Sequence, residues 1–242
     1  MVRTTHAQCP SNTSPHPEQV RLIRVVSTVV FPIHGMLATM TRFIVANVVY
    51  SNRPGRTRRL VRSIRDKFAT DHDQVVWLLV ETKRGRAGRW LGRGWRTHQG
   101  WMPGRSNNAV GWSAEMGSPT RKGFTLLTWP KGAAMLPRWM NHVWHRGQGV
   151  AVVVHLPPAR YQHLYPACMD AMADLYAELG TPMQTWAGDK NDAPVQEWAQ
   201  TRGLHYREAG VMFFASSRRI TRFQTARVDG WDHAVLIVDV SD

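Results

Sequence analysis

The chain has 242 residues, 31 Lys/Arg against 17 Asp/Glu, a formal net charge of +14 and two cysteines. That length can bury a full core within one domain. Cys9 and Cys168 lie far apart with no C-x-x-C, which excludes a disulfide-stapled secreted module and fits a reducing, cytoplasmic compartment. The charge is uneven: residues 1–160 hold 24 Lys/Arg and 6 Asp/Glu, whereas residues 161–242 hold 7 and 11. A basic region suited to a polyanion such as nucleic acid therefore precedes an acidic region suited to a divalent cation.

Residues 1–20 are polar and rich in Pro, Ser and Thr, the composition of a disordered segment. Val25 to Met40 is more apolar, but Pro32, His34 and Gly35 interrupt it and it is shorter than the ~20 residues of a membrane helix. No membrane span is expected. Secretion through residues 21–40 is an alternative, although no small-x-small cleavage site follows. Residues 1–40 are thus expected to be a tail, or to lie upstream of a true start at Met36 or Met40, and residues 41–242 to form a single domain.

Arg42 to Val49 reads as a buried strand carrying one amide, Asn47. After a turn at Asn52 to Gly55, the helical spacing of Leu60, Val61, Ile64 and Phe68 predicts a helix from Thr57 to Phe68 with arginines outside. Val75 to Thr82 predicts a second buried strand that ends on Glu81, a carboxylate that is either solvated or a ligand. From Lys83 to Asn108 there is no acidic residue, and Trp90, Trp95 and Trp101 are interleaved with arginines. This stretch reads as a loop that grips nucleic acid, with Arg84, Arg86, Arg89, Arg93 and Arg96 on phosphates and Trp90 and Trp95 stacking on bases. The alternative is a long loop with its tryptophans packed beneath it.

Val110 to Ala114 and Gly123 to Trp129 are expected to pair as strands across the turn-rich Met116 to Lys122. His142 and His145 lack the second ligand pair of a structural zinc site. A strand from Gly149 ends on His155, and Tyr165 to Leu179 predicts a helix with Cys168, Met172 and Leu175 as its core stripe. Met183 to Ala187 leads to Gly188, which permits a tight exit, and Asp189 and Asn191, two apart, share one side of the strand end. A short helix over Val195 to Gly203 and a strand over Val211 to Ser217 follow. Ala234 to Val240 is a nearly unbroken strand run with Asp232 and His233 at its mouth. This alternation supports α/β or α+β and no finer class.

Taken in order, Asn47, Glu81, His155, Asp189 with Asn191, and Asp232 with His233 all stand at the ends of apolar strands. On these residues and on the stretches ANVVY, VET, VVVHLPP, WAGDKND and WDHAVLIV, the chain resembles the endonuclease/exonuclease/phosphatase superfamily. The resemblance implies a four-layer sandwich of two mixed β-sheets packed face to face with helices outside. It implies Mg²⁺, with Mn²⁺ as an alternative, held mainly by Glu81 with Asn47 and Asp232 close by. Asp189 would orient or deprotonate the attacking water, and Asn191 would help hold that water and the phosphate. His155 and His233 would contact phosphoryl oxygens, with His233 assisting proton transfer.

The function implied is hydrolysis of nucleic-acid phosphodiesters by an endonuclease, DNA ahead of RNA, with no protein partner indicated. A catalytically degenerate nucleic-acid-binding module and a small-molecule or lipid phosphoesterase are the other readings. Three positions depart from the family pattern. Met212 stands where an Asp usually orients the terminal His, Lys190 where an apolar or aromatic residue is usual, and Trp231 where Ser is common.

Overall fold

β-Branched and aromatic runs that are apolar on both faces build the centre of the molecule. Their two faces pack in opposite directions, one on the partner sheet and one on a helix. A computed structural model describes residues 22–30, 40–48, 54–70, 74–82, 85–100, 107–128, 137–228, 231 and 233–242. The first sheet contains β1 (Leu22–Val30), β2 (Thr41–Asn47), β3 (Val75–Thr82), β4 (Trp95–His98), β5 (Asn107–Ser113), β12 (Arg219–Val228) and β13 (Val235–Ser241). Its spatial order is β1-β12-β13-β2-β3-β5-β4. The second contains β6 (Arg121–Thr128), β7 (Arg138–His145), β8 (Gly149–His155), β9 (Gln184–Asp189), β10 (His205–Ala209) and β11 (Met212–Ser216), in the order β10-β11-β9-β8-β7-β6. Each sheet is mixed: β2 and β3 run parallel in the first, β8 and β9 in the second, and the other neighbours are antiparallel.

Three apolar clusters fill a four-layer sandwich, because alternate residues of each strand serve opposite faces. Phe43, Val45, Leu78 and Val80 meet Val153, Ala187, Met212 and Phe214 between the sheets. Ile44, Trp77 and Leu79 pack outward on α1 (Pro54–Phe68) and α2 (Ala87–Leu91) through Leu60, Ile64 and Trp90. Val152, Val154 and Trp186 pack outward on α3 (Tyr165–Leu179) and α4 (Val195–Gln200) through Cys168, Met172 and Trp198. In α3, buried Tyr165, Cys168, Met172, Leu175 and Leu179 recur at helical spacing, Pro occupies the first turn, and Gly180 at φ +58° closes the C-terminus.

The structure departs from the sequence expectations in three places. Residues 22–30, placed outside the domain by sequence, form β1, the edge strand antiparallel to β12. The stretch from 83 to 108 is not one loop: it contains α2 and β4 and leads into β5. Trp90 is 4% exposed and belongs to the outer core, and Trp95 packs edge-on against Trp77 with ring centroids 6.1 Å apart. Trp90 is thereby removed from base stacking. Arg86 is half-buried, Arg89, Arg93 and Arg96 are exposed, and Arg84 and Trp101 lie outside the described residues.

Third, β5 and β6 do not pair. β5 lies between β3 and β4, whereas β6 is the edge of the other sheet beside β7. Two strand-like runs joined by turn residues read the same whether the chain folds back as a hairpin or crosses to the facing sheet. Only the inter-sheet packing distinguishes the two.

Candidate active site

The two parallel strand pairs set the site. Because β2 and β3 run together, Asn47 and the end of β3 reach the same edge of the first sheet. Because β8 and β9 run together, His155 and Asp189 are direct register partners at the edge of the second. Gly188 makes that register attainable: its φ is +153°, and a Cβ there would sit 1.8 Å from the Val154 carbonyl oxygen. Any other residue would force β8 and β9 apart.

Glu81 occupies a β-bulge. Leu79 pairs with Ala109 but Thr82 with Asn107, so β3 carries one extra residue, and Glu81 adopts φ +57°. A non-glycine residue in that region costs about 1 kcal/mol or more, and bulges of this kind re-aim side chains. Asn191 is also left-handed at φ +49°, a conformation Asn tolerates better than most residues.

These backbone features bring residues from both sheets together. Asn47 Nδ2 donates to Asp189 Oδ2 at 2.9 Å, and the Asn191 backbone N–H donates to Asp189 Oδ1 at 2.9 Å. Asn191 Nδ2 donates to the Leu156 carbonyl at 2.8 Å, tying the exit of β9 to the exit of β8. His155 Nε2 lies 3.7 Å from Glu81 Oε1, and His233 Nε2 lies 3.7 Å from Asp189 Oδ2. Six of the seven residues expected for catalysis or metal binding thus fall within one cluster; the seventh, Asp232, lies outside the described residues.

Sequence reasoning missed Arg138. It begins β7, and its guanidinium lies 2.6 Å from His155 Nδ1. A guanidinium can only donate, so Nδ1 accepts and the ring carries its proton on Nε2, facing Glu81. Burial, the Arg138 charge and His233 together hold the His155 pKa well below the usual 6.5. His155 is therefore a neutral N–H donor aimed into the site. The only sequence signal was an Arg opening a strand beside the site's own strand, one among many arginines in this chain.

The electrostatics favour a cation. Burial raises the Glu81 carboxyl above its ordinary 4.5; Arg138 pulls it down, and neighbouring Asp189 pushes it up again. Among the described residues, no three His, Cys, Asp or Glu side chains group as a metal site. The donors that do converge are the Glu81 carboxylate and the Asn47 amide, with Asp189 behind them, all hard oxygen groups of the kind Mg²⁺ takes. Two carboxylates share the cluster with one half-buried guanidinium, and that surplus negative charge fits a divalent ion.

The three departures from the family pattern have distinct consequences. Met212 lies opposite Asp189 in the β9–β11 register, fully buried in the inter-sheet core. It gives His233 no carboxylate. Lys190 turns away to Glu208, 3.5 Å from its Oε2. Trp231 packs partly against the outer core of the first sheet.

No protein-family model matches the chain, and no curated protein matches it by sequence. Solved structures do. The human Nocturnin catalytic domain, solved with a bound sulfate anion, is similar at a TM-score of 0.65 and 14% identity, over 90% of this chain and 99% of that one. A humanized D. rerio TDP2 is similar at 0.63 and 11% identity, over 85% and 100%. An endonuclease/exonuclease/phosphatase family protein from Bacteroides thetaiotaomicron is similar at 0.62 and 12% identity, over 86% and 100%. The chain has the fold of the endonuclease/exonuclease/phosphatase proteins, as its strand-end motifs led one to expect.

Proposed function

We propose that the protein is a Mg²⁺-dependent phosphodiesterase that cleaves nucleic acid internally, with DNA ahead of RNA as substrate. The observation that carries this reading is the convergence of Asn47, Glu81, His155, Asp189 and His233 from both sheets, with Asp189 hydrogen-bonded on both oxygens. The named structural neighbours, which include an endonuclease/exonuclease/phosphatase family protein, support the same class.

Each residue has a role its geometry suits. Asp189 has one further lone pair on each oxygen, and takes the proton of a water as that water's oxygen attacks phosphorus and the ester oxygen leaves. Asn47 and the Asn191 backbone fix the carboxylate in place. His155, held as the Nε2–H tautomer by Arg138, donates to a phosphoryl oxygen. His233 contacts the same group from the other sheet and assists proton transfer. Glu81 and Asn47, together with Asp232, would hold the Mg²⁺, whose chemistry there is to polarise the phosphoryl group and stabilise charge on the leaving oxygen. The exposed Arg89, Arg93 and Arg96 would track phosphates beyond the site.

The test is incubation with supercoiled plasmid in Mg²⁺, against EDTA and Asp189→Ala controls. Nicking that needs both the ion and Asp189 is the expected result. The second reading, a non-catalytic nucleic-acid-binding module, is favoured by one observation, the buried Met212 that leaves His233 without an orienting carboxylate. A salt-sensitive mobility shift with no nicking in any divalent ion would select it over the first.

A further inference from the structure

Beside His233 the gap between the two sheets stays open. A cleft of about 550 Å³ there is lined by Thr225 and Arg227 of β12, by Trp231 and His233, and by Gly210 in the turn between β10 and β11. The register of β12 explains its chemistry. Thr225 pairs with Leu236, which lies in the inter-sheet core. Alternate strand residues share a face, so Arg227 looks into the same gap. Along that face the side chains change from apolar at Ile220 and Phe223 to a hydroxyl at Thr225 and a cation at Arg227. The core gives way to a wet, basic mouth.

Two features make this mouth a binding site rather than a packing gap. Trp231 is held at its backbone, whose N–H donates to the Val228 carbonyl at 3.0 Å, and its side chain packs partly on the outer core while remaining half-exposed along the cleft. Arg227 is exposed and makes no hydrogen bond or ion pair with the described residues. A partly packed indole and an exposed guanidinium thus flank a volume in the range of small-ligand sites. His233 joins this cleft to the Asp189 cluster.

We propose that the cleft holds one unpaired nucleotide next to the phosphodiester under attack, its base on Trp231 and its outer phosphate on Arg227. The proposal rests on the phosphodiesterase reading and narrows it. A base reaches an indole face only when it is not stacked and paired in a duplex, so the site selects single strands, frayed ends, bulges or the stretches that supercoiling opens in a plasmid over continuous relaxed duplex. An inositol phosphate or a lipid headgroup would use Arg227 but have no need of the Trp231 plane.

The experiment compares the full chain with Trp231→Ala, Trp231→Phe and Arg227→Ala on one fluorescent oligonucleotide, single-stranded and annealed to its complement, in Mg²⁺. Binding is read by anisotropy in an Asp189→Asn background and turnover in the parent background. Trp231→Ala should raise KM and Kd for the single strand about tenfold with kcat unchanged, and Trp231→Phe should restore most of the loss. Arg227→Ala should weaken binding and lower the slope of log Kd against log salt by about 0.7, the mark of one lost phosphate contact on a single strand.

Cleavage with equal KM on single strand and duplex, or indifference to Trp231→Ala, overturns the cleft and leaves the phosphodiesterase reading standing. Trp231-dependent binding of single strands with no turnover in any variant supports the cleft and overturns the phosphodiesterase reading. Sensitivity to Arg227→Ala alone points to a phosphate without a base and also overturns the proposal.

Discussion

Where β2 begins, Arg42 forms a bidentate pair with Asp239 at 2.6 and 2.8 Å and donates a third bond to the Phe68 carbonyl at 3.0 Å, with both side chains only 3% exposed. Nearby, Arg218 reaches Thr41, Gln148 and Asp242 at 3.1, 3.2 and 2.8 Å. Where β2 ends, Asp189 is equally buried but Glu81 is 26% exposed, and the two histidines facing them stand 3.7 Å away. Among the described residues, the strand that carries a bidentate ion pair at one end carries longer, looser charge contacts at the other. Charge that is fully paired holds the fold together, whereas charge left partly uncompensated leaves room for a cation and a phosphate.

Exchanging the two carboxylates' fates separates these uses. Asp189→Ala should lower kcat by about 10²–10⁴-fold in the plasmid assay while the protein stays folded by circular dichroism, since the residue supplies a base and few packing contacts. Asp239→Ala should do the reverse. It takes the carboxylate away from a buried guanidinium, so urea unfolding should show a loss of about 3–5 kcal/mol, while the fraction still folded keeps its activity per molecule. If the two variants behaved alike in both assays, the contrast between the ends would be empty.

Arg138 sharpens the contrast, because it is a half-buried cation at the end where the charge contacts are longer. Arg138→Met should release His155 Nδ1 and reduce kcat by about 10–100-fold, the usual size of an effect transmitted through a group that orients another. Arg138→Lys should recover part of the loss, since an ammonium can still donate to Nδ1. The direct readout is the nitrogen chemical shifts of His155, which should show the Nε2–H form in the parent and a mixture of tautomers in Arg138→Met.

The strand ends were legible in sequence because a polar residue closing a β-branched run is locally conspicuous: Asn47, His155 and Asp189 all stand where that pattern placed them. The helix over Tyr165–Leu179 was legible from its spacing, as was the strand over Val75–Thr82. What was not legible depends on partners distant in the chain. β12 buries Thr221, Gln224 and Thr225 among its apolar residues, so it lacks the clean alternation of a half-buried strand. β1 was missed because its role is set by β12, some two hundred residues away along the chain. Trp90 read as a stacking platform because nothing local reveals that α2 turns it onto Trp77 and Leu79.

The smallest effect is also the one with the clearest sign. Burial and Asp189 together hold the Glu81 carboxyl above its ordinary 4.5 despite the pull of Arg138. The folded protein therefore binds that proton more tightly than the unfolded chain does. The native state gains from it in full below the unfolded pKa, and the gain is lost as pH rises through the folded one. Without metal, ionising Glu81 on the alkaline side of its folded pKa carries a cost, so the gain in urea midpoint from Glu81→Gln should be absent near pH 4 and grow as pH rises from there. Mg²⁺ should reverse the ranking at pH 7: it stabilises the parent by binding the native state, about 2.7 kcal/mol at a hundredfold excess over Kd, and does little for the variant. Asp239 behaves as a paired carboxylate, so neutralising it is destabilising at pH 7 with or without the ion. A Glu81→Gln variant less stable than the parent in EDTA would mean that the 3.7 Å contact with His155 is a formed ion pair, and that both ends of β2 hold their charges in the same way.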